Sequence, residues 1–438
     1  MAHALLGVVA GVVWLVLPWM TINDDAPVAG ARTSAAVPAE DESSGTDLVL
    51  PVAALAVVLA LAAYGSVRRI RRTRSRTTPA AAGTTHVGTY PAPGTQPPLT
   101  DLDDRSQAAL VDADNRLRAF RQELPFAEAV SGPEAVSPCA TAAEAAEAEL
   151  SAACAIRARY EEGVPEKAAA LAGVVGRCEE AERRLTAAGK SLRTLRALDR
   201  DPAAALASAE ARFRELTART AGAEARPLDD SVTGYLELTK DGLVTATEHL
   251  NQTHQASGRP DEAAHHLRAA ETAISRADVL VTAVSRLRSA RAEAARLIPP
   301  ALTGAEAELA PFRDSNAYEG ETYARLLHAD AVLAAVRQET TSGQPYDPLG
   351  VLRRIVQATA PLATGRSGVL AVAALLVARE SVAAADDYVT VHREAVGAAP
   401  RVLLSRARLT DELPRADALA REARDLAEQD VRLRGHPA

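Results

Sequence analysis

Long apolar seams at helical spacing constrain the fold of this 438-residue chain more than any other feature. From about Leu102 onwards, apolar residues recur alternately three and four positions apart. This period of roughly 3.5 residues is typical of long helices that pack nearly parallel. The clearest seams are Leu110, Ala113, Leu117, Phe120 and Leu124; Val174, Cys178, Ala181, Leu185, Ala188, Leu192 and Leu195; and Leu267, Ala270, Ile274, Ala277, Val281 and Val284. We therefore predict an all-α fold, elongated and coiled-coil-like, over residues 102–438.

The composition favours the same fold and excludes several classes of protein. The chain contains 97 alanines, and only 3% of its residues are aromatic. Alanine is the strongest helix former, and alanines in a seam let helix axes approach closely while each contact buries little area. Three cysteines are too few for a disulfide framework, and a pI of about 5.7 argues against a nucleic-acid binder.

Proline and glycine predict where the helices begin and end. Asp201-Pro202 and Asp347-Pro348 each place an N-cap residue before proline at the first helical position. Further turns are predicted at Gly132-Pro133, Gly163, Gly258-Arg259-Pro260, Pro299-Pro300 and Gly343. These breaks divide the region into about ten helices. The apolar stretch 369–378 is too short to cross a bilayer and is predicted to be a buried core helix.

Two apolar segments precede the helical region. Residues 1–20 contain no acidic residue, lysine or arginine, and residues 48–67 contain no charge. Each is about as long as the ~20 residues that span a bilayer. The first segment is either a retained transmembrane helix or a signal peptide cleaved after Ala31, and the second is predicted to be a transmembrane helix. Residues 21–47 are predicted to be a short acidic extracytoplasmic connection.

An arginine cluster orients this predicted anchor. It consists of Arg68, Arg69, Arg71, Arg72, Arg74 and Arg76. Because positive charge is retained on the cytoplasmic side of membranes, we predict a plasma-membrane protein whose C-terminal helical domain is cytoplasmic. The cluster is predicted to contact anionic lipid headgroups, with about 1 kcal/mol per basic residue. Residues 68–101 combine this cluster with a linker rich in proline, glycine and threonine, which is predicted to be disordered.

The histidines and cysteines do not recur at the spacings that are typical of metal-binding or redox sites. Metal-binding histidines on one helix usually lie four residues apart, whereas His249 and His254 lie five apart, so we interpret them, with His265 and His266, as a polar helix surface. The three cysteines lack a C-x-x-C spacing and are predicted to be free thiols, with Cys178 buried in its seam. The sequence thus predicts no catalytic residue, no metal ligand, no cofactor and no small-molecule substrate.

Two further motifs have a structural interpretation. Residues 365–368 read Gly-Arg-Ser-Gly but lack the lysine of a phosphate-binding loop, so we predict a turn between helices. The adjacent acids Asp229-Asp230 and Asp386-Asp387 do not face one another on a helix. We interpret them as solvated or capping charges.

Three runs in the helical region carry a family resemblance: residues 216–224, residues 346–348 leading to 360–370, and residues 423–431. Together with the second apolar segment, the arginine cluster and the linker, they resemble the C-terminal membrane helix and helical tail of actinobacterial TPM-domain-containing membrane proteins. The resemblance spans roughly residues 48–438. It implies the order leader, extracytoplasmic TPM domain, membrane helix and tail, and so favours cleavage of the first segment.

This sequence departs from that order, because it leaves no room for the TPM domain between the two apolar segments. In some relatives that domain is associated with phosphatase-like activity and metal binding. Only 27 residues lie between the two apolar segments here, too few for a folded domain of about 130 residues. The resemblance therefore assigns no TPM functional residue and implies no enzyme activity.

From the sequence we expect a membrane-anchored helical scaffold or protein-interaction module, without catalytic activity. Its partners would be anionic lipid, an unidentified protein or a second copy of the chain, and not nucleic acid. Two alternatives remain open. The first is a remnant or split part of a TPM-domain phosphatase-like protein, and the second is a self-assembling coiled-coil structural protein.

Overall fold

Eleven helices and no strand make up the part of the chain that the computed structural model describes, which is residues 98–196, 202–225, 230–256, 258–314, 320–362 and 368–434. The predicted all-α class is therefore confirmed for these ranges. In chain order the helices are α1 Leu99–Ser131, α2 Pro133–Gly163, α3 Lys167–Arg196, α4 Pro202–Glu224, α5 Asp230–Gln255, α6 Pro260–Asp314, α7 Glu321–Thr341, α8 Pro348–Thr359, α9 Val369–Val391, α10 Ala398–Leu409 and α11 Leu413–Leu433.

Most of the predicted helix ends are confirmed, and their local chemistry explains them. Gly132 separates α1 from α2 with a φ of 84°, a left-handed value that favours glycine. Asp347 caps α8, because its side chain accepts a hydrogen bond from the backbone N–H of Gly350 at 3.0 Å. Pro260 opens α6 and Pro202 opens α4, as the sequence predicts.

The predicted break at Pro299-Pro300 is wrong. Helix α6 continues through both prolines and extends over 55 residues. Proline inside a helix costs about 3 kcal/mol, because it removes a hydrogen bond and crowds the preceding turn. On either side of the pair, however, Ile298 and Ala301 are almost fully buried against α8 and α9. Burial of this face on both sides of the prolines offsets the local penalty.

Within the described ranges, four hydrophobic cores hold the helices together. The first lies among α1, α2 and α3, and the second among α4, α5 and the N-terminal half of α6. The third joins the C-terminal half of α6 to α7, α8 and the start of α9, and the fourth joins the end of α9 to α10 and α11. The predicted seams lie inside these cores. The α6 seam from Leu267 to Val284 is buried at all six positions.

Helix α9 contains the apolar stretch predicted to be a core helix. Ala373, Leu376 and Val377 are buried, which confirms the prediction for one face, whereas Val372 and Leu375 are 48% and 54% exposed. Among the helices of the described ranges, none combines the length and apolarity required to cross a membrane. Both apolar segments of the predicted anchor, the arginine cluster and the linker up to residue 97 lie outside the described residues.

Candidate functional site

Charged side chains line a cavity of about 240 Å³ between α1, α2, α9 and α10, which we call the central cleft. Helix α1 supplies Asp114, Arg118 and Arg121, whose spacing of four and three residues places them on one face. The other charged residues of the lining are Glu147 of α2, Asp386 of α9, and Arg401 and Arg408 of α10. The cleft therefore brings together residues from opposite ends of the described chain.

Arg118 connects α1 to α9 across this cleft. Its Nε donates to Asp114 Oδ2 at 2.9 Å, and its Nη1 donates to Asp386 Oδ1 at 2.7 Å and to Thr390 Oγ1 at 2.5 Å. The side chain is 12% exposed. Burial lowers the pKa of Arg118, but the carboxylates of Asp114 and Asp386 outweigh burial and raise this pKa above its ordinary value. Arg118 therefore stays charged and holds both helices.

Arg401 makes the corresponding connection from α10 to α1. Its side chain is only 4% exposed, and it forms an ion pair with Asp114 and donates to Asn115 Oδ1 at 2.8 Å. Its remaining hydrogen bonds go to the backbone carbonyl oxygens of Arg393, Val396 and Gly397. Burial raises the pKa of Asp114, yet Arg118 and Arg401 together hold that pKa below its ordinary value. Asp114 is thus an ionised bridge between two buried guanidinium groups.

The interpretation of Asp386-Asp387 as solvated or capping charges is wrong. Asp386 pairs with Arg118 and Arg408, whereas Asp387 pairs with Arg286 of α6 at 2.6 Å. Successive residues on a helix point about 100° apart, so each acid meets a different neighbouring helix. The side chains of Asp229-Asp230 lie outside what the structure describes.

The four histidines His249, His254, His265 and His266 lie around the turn between α5 and α6. The rings of His249 and His266 stack with centroids 6.0 Å apart, and His265 meets His266 edge-on at 5.5 Å. His254 is exposed, with its Nε2 2.7 Å from Glu210 Oε1. Within the described ranges no group of three or more His, Cys, Asp or Glu residues is arranged to hold a metal ion.

Of the remaining sequence motifs, the Gly-Arg-Ser-Gly run falls mostly outside the described residues, which resume at Gly368. Gly368 directly precedes α9 with a φ of 79°. The six arginines predicted to contact lipid lie outside the described ranges.

All three cysteines are free thiols, as the sequence predicts, and all three are buried, which the sequence predicts for Cys178 alone. Cys154 lies in the wall of the central cleft, and Cys178 lies in the α3 seam with 1% exposure. Burial raises the pKa of Cys154 to about 12 and that of Cys178 to about 12, because the thiolate loses its hydration.

These thiols are expected to be unreactive in the folded protein. At about pH 8 we expect modification by Ellman's reagent to be at least about 100-fold slower in the folded chain than in the urea-unfolded chain, since only the thiolate reacts. The Cys154→Ser and Cys178→Ser variants each remove one phase and so assign the slow phases to individual cysteines. Rapid modification of any thiol in the native chain would contradict its burial.

The charged residues of the cleft carry no sequence signal that would have identified them. Asp114 and Arg118 each follow a seam residue, and charges commonly flank the apolar seam of packed helices. Arg401 lies 287 positions from Asp114, so no local spacing relates them. Their pairing depends on how the cores pack against one another.

Known proteins resemble this chain over a limited region. It is similar to UPF0603 protein MT2410 of Mycobacterium tuberculosis strain CDC 1551 / Oshkosh and to UPF0603 protein Rv2345 of strain H37Rv. Each is 27% identical over 202 residues, covering 42% of this chain and 31% of the relative. The chain thus spans about a third of the length of these curated relatives. No family model matches the chain, and no solved structure matches it.

Proposed function

We propose that this protein is a membrane-anchored binding module that presents helical faces to a protein partner at the cytoplasmic face of the plasma membrane. The observation that supports this proposal is that charged side chains of the central cleft form ion pairs between different helices. Arg118 and Arg401 tie α1 to α9 and α10, helices that lie more than 260 residues apart in the sequence. Such long-range pairing links helices from distant parts of the sequence, and a scaffold requires linked helices of this kind.

The proposed anchor is the apolar segment 48–67 followed by the six arginines between positions 68 and 76. In this proposal the segment spans the bilayer, and the arginines bind anionic headgroups on the cytoplasmic side. The resemblance to the tail of TPM-domain membrane proteins agrees with this order of segments. The names of the two mycobacterial relatives state neither an activity nor a partner.

Reporter fusions test the orientation of the anchor. We expect green fluorescent protein at the C-terminus to be bright and alkaline phosphatase at the same position to be inactive. Replacing all six arginines with glutamine removes the positive charge and is expected to lower the fluorescence, because the orientation bias is lost. Replacement with lysine is the matched control and should leave it unchanged. Active phosphatase on the native chain would contradict the proposed topology.

Affinity capture of the full chain from native membranes tests the binding role. We expect a protein partner to be recovered in a defined ratio to the chain. Light scattering of the detergent-solubilised chain then separates this role from self-assembly into a coiled-coil structure. Recovery of no partner together with a strictly monomeric chain would contradict the proposal.

A further inference from the structure

Helix α7 carries a second seam on the side opposite its buried one. The buried seam, which belongs to the third core, is Leu326, Ala329, Leu333 and Val336. The second seam repeats the same alternation of three and four positions, displaced by two residues, and all its members are exposed: Ala324, Leu327, Ala331, Ala334 and Gln338. Two residues of a helix turn the side-chain direction by about 200°, so this outer seam points away from the core.

The outer seam is apolar although it is exposed. Leu327 is 52% exposed, and so is Tyr323, which lies one turn before it. Gln338 is the only polar residue of the seam, and none of its residues is charged. The described helices that pack most closely on α7 are α6 and α8, and they cover its buried seam. Because a surface helix normally carries charged and polar residues on its outward face, an uncharged outer seam at heptad spacing indicates that another helix packs there.

The charges beside the outer seam fit a second copy of the same helix. In the heptad notation of coiled coils, Ala331 is at position a and Ala334 at position d, so Asp330 and Arg337 both fall at position g. A side chain at g lies beside the seam, where it contacts a side chain of the partner helix. Asp330 is 37% exposed and Arg337 is 56% exposed. Opposite charges at two g positions of one helix let two antiparallel copies pair reciprocally.

These charges also specify the register of such a pair. A two-fold axis reverses the second helix, so facing residues have numbers with a constant sum. When Ala331 faces Ala334 of the second copy, the adjacent g positions bring Asp330 of each copy to Arg337 of the other. A shift by one heptad places either Asp330 against Asp330 or Arg337 against Arg337. Because facing like charges repel, one register is favoured over its neighbours.

The contacts of these two side chains within the chain leave room for the pair. Arg313 of α6 donates to Asp330 Oδ1 through Nε at 3.1 Å and also through Nη2, so among the described residues Oδ2 remains open to a second donor. Arg337 pairs with Glu306 of α6 through Nη2, and its other guanidinium N–H groups can donate elsewhere. A carboxylate accepts from two guanidinium groups, so Asp330 can keep Arg313 while it pairs with the second copy.

We propose that the outer seam of α7 is a homodimerisation surface. The outer seams of two copies pack antiparallel about a two-fold axis, and Asp330 of each copy forms an ion pair with Arg337 of the other. The alanines at the centre of the seam let the two helix axes approach closely. A single helix pair buries less than the ~1,200 Å² of a standard interface, so the dimer dissociates on dilution. This contact depends neither on the proposed membrane anchor nor on the unidentified protein partner.

Charge reversal tests the proposed register. Analytical ultracentrifugation of the full chain in detergent micelles, over a range of concentrations, should show a monomer–dimer equilibrium. Asp330→Arg places two arginines together at both ends of the contact and should raise the dissociation constant at least about tenfold. Adding Arg337→Asp to this variant restores the ion pair with its charges exchanged, so dimerisation should recover. Differently tagged copies should show that the doubly reversed chain pairs with itself and not with the native chain.

A second substitution with a matched control tests the seam itself. Leu327→Glu places a charge in the apolar contact and should raise the dissociation constant at least about tenfold. Leu375→Glu makes the same change at a leucine of α9 that is 54% exposed, and it should leave the dissociation constant unchanged. Far-ultraviolet circular dichroism checks that both variants are folded, which is expected because both leucines are exposed.

Several outcomes would overturn the proposed dimer. They are a native chain that stays monomeric at every concentration, dimerisation that survives Leu327→Glu, equal effects of the two leucine variants, and a doubly reversed chain that does not recover self-association. If the native chain is monomeric and Leu327→Glu abolishes recovery of a protein partner in the affinity capture, the outer seam binds a different protein. That result would overturn the dimer and leave the proposed binding function intact.

Discussion

Replacing Arg401 with methionine is expected to lower the free energy of unfolding by roughly 3–5 kcal/mol, the usual cost of removing one partner from a buried ion pair. Methionine fills much of the space of the arginine stem but donates no hydrogen bond. Asp114 then keeps only Arg118, and three carbonyl oxygens near the start of α10 lose their donor. Urea unfolding of the full chain in detergent, followed by far-ultraviolet circular dichroism, measures the change.

Arg406→Met is the matched control on the same helix. Arg406 pairs with Glu162, which is 59% exposed, so the expected loss is about 0–1 kcal/mol. Equal destabilisation by the two variants would contradict the proposed role of Arg401 as the buried link between α10 and α1.

The Arg401 effect should also depend on pH. The pKa of Asp114 in the folded chain lies below its unfolded value of about 3.9. Its contribution to stability is therefore fully present at neutral pH and is lost as the pH falls through the folded pKa. Removal of Arg401 raises that pKa towards the unfolded value, so the difference between the variant and the native chain should shrink in acid. A difference that stays constant down to about pH 3 would contradict this electrostatic origin.

Truncating Leu267 to alanine is expected to cost about 2–5 kcal/mol. Leu267 is fully buried in the second core, where it packs with residues of α4 and α5. The loss of stability has two parts. One is the favourable transfer free energy that the removed carbon atoms no longer contribute, and the other is the cost of the cavity that remains. Because each seam alanine buries little apolar area, each leucine in this core contributes a large share of the buried apolar area. The same urea unfolding experiment measures the loss.

Leu238→Ala provides the control, since the same atoms are removed from a side chain of α5 that is 40% exposed. Its expected cost is less than about 1 kcal/mol. If the two variants lost equal stability, the second core would not depend on the α6 seam as described.

Helix positions in this chain are largely a local property, and the sequence predicts them well. The α6 seam is buried at every predicted position, and α2, α6 and α8 each begin at a proline after a turn residue. At Pro299-Pro300 the local preference fails to predict the structure. There the burial of Ile298 and Ala301 against other helices outweighs the preference of proline to end a helix.

The charged residues of the central cleft could not be predicted from the sequence, as Asp386 shows. On its own helix it is one of two adjacent acids with no partner at helical spacing, and this pattern predicts a solvated charge. In the folded chain it pairs with Arg118, 268 positions away, and with Arg408. Whether a charge next to a seam faces water or another helix depends on which cores meet, and that information is not contained in a helical period.

The helical class of the described region, most of its helix starts and its apolar faces can all be predicted from the sequence. These properties follow from spacing, propensity and capping over a few residues. Tertiary contacts, by contrast, bring Asp114, Arg118 and Arg401 together, carry α6 through its prolines, and pair Arg196 with Glu271 in the interior. Each depends on contacts between cores built from distant segments, where burial and long-range charge pairing outweigh local preference.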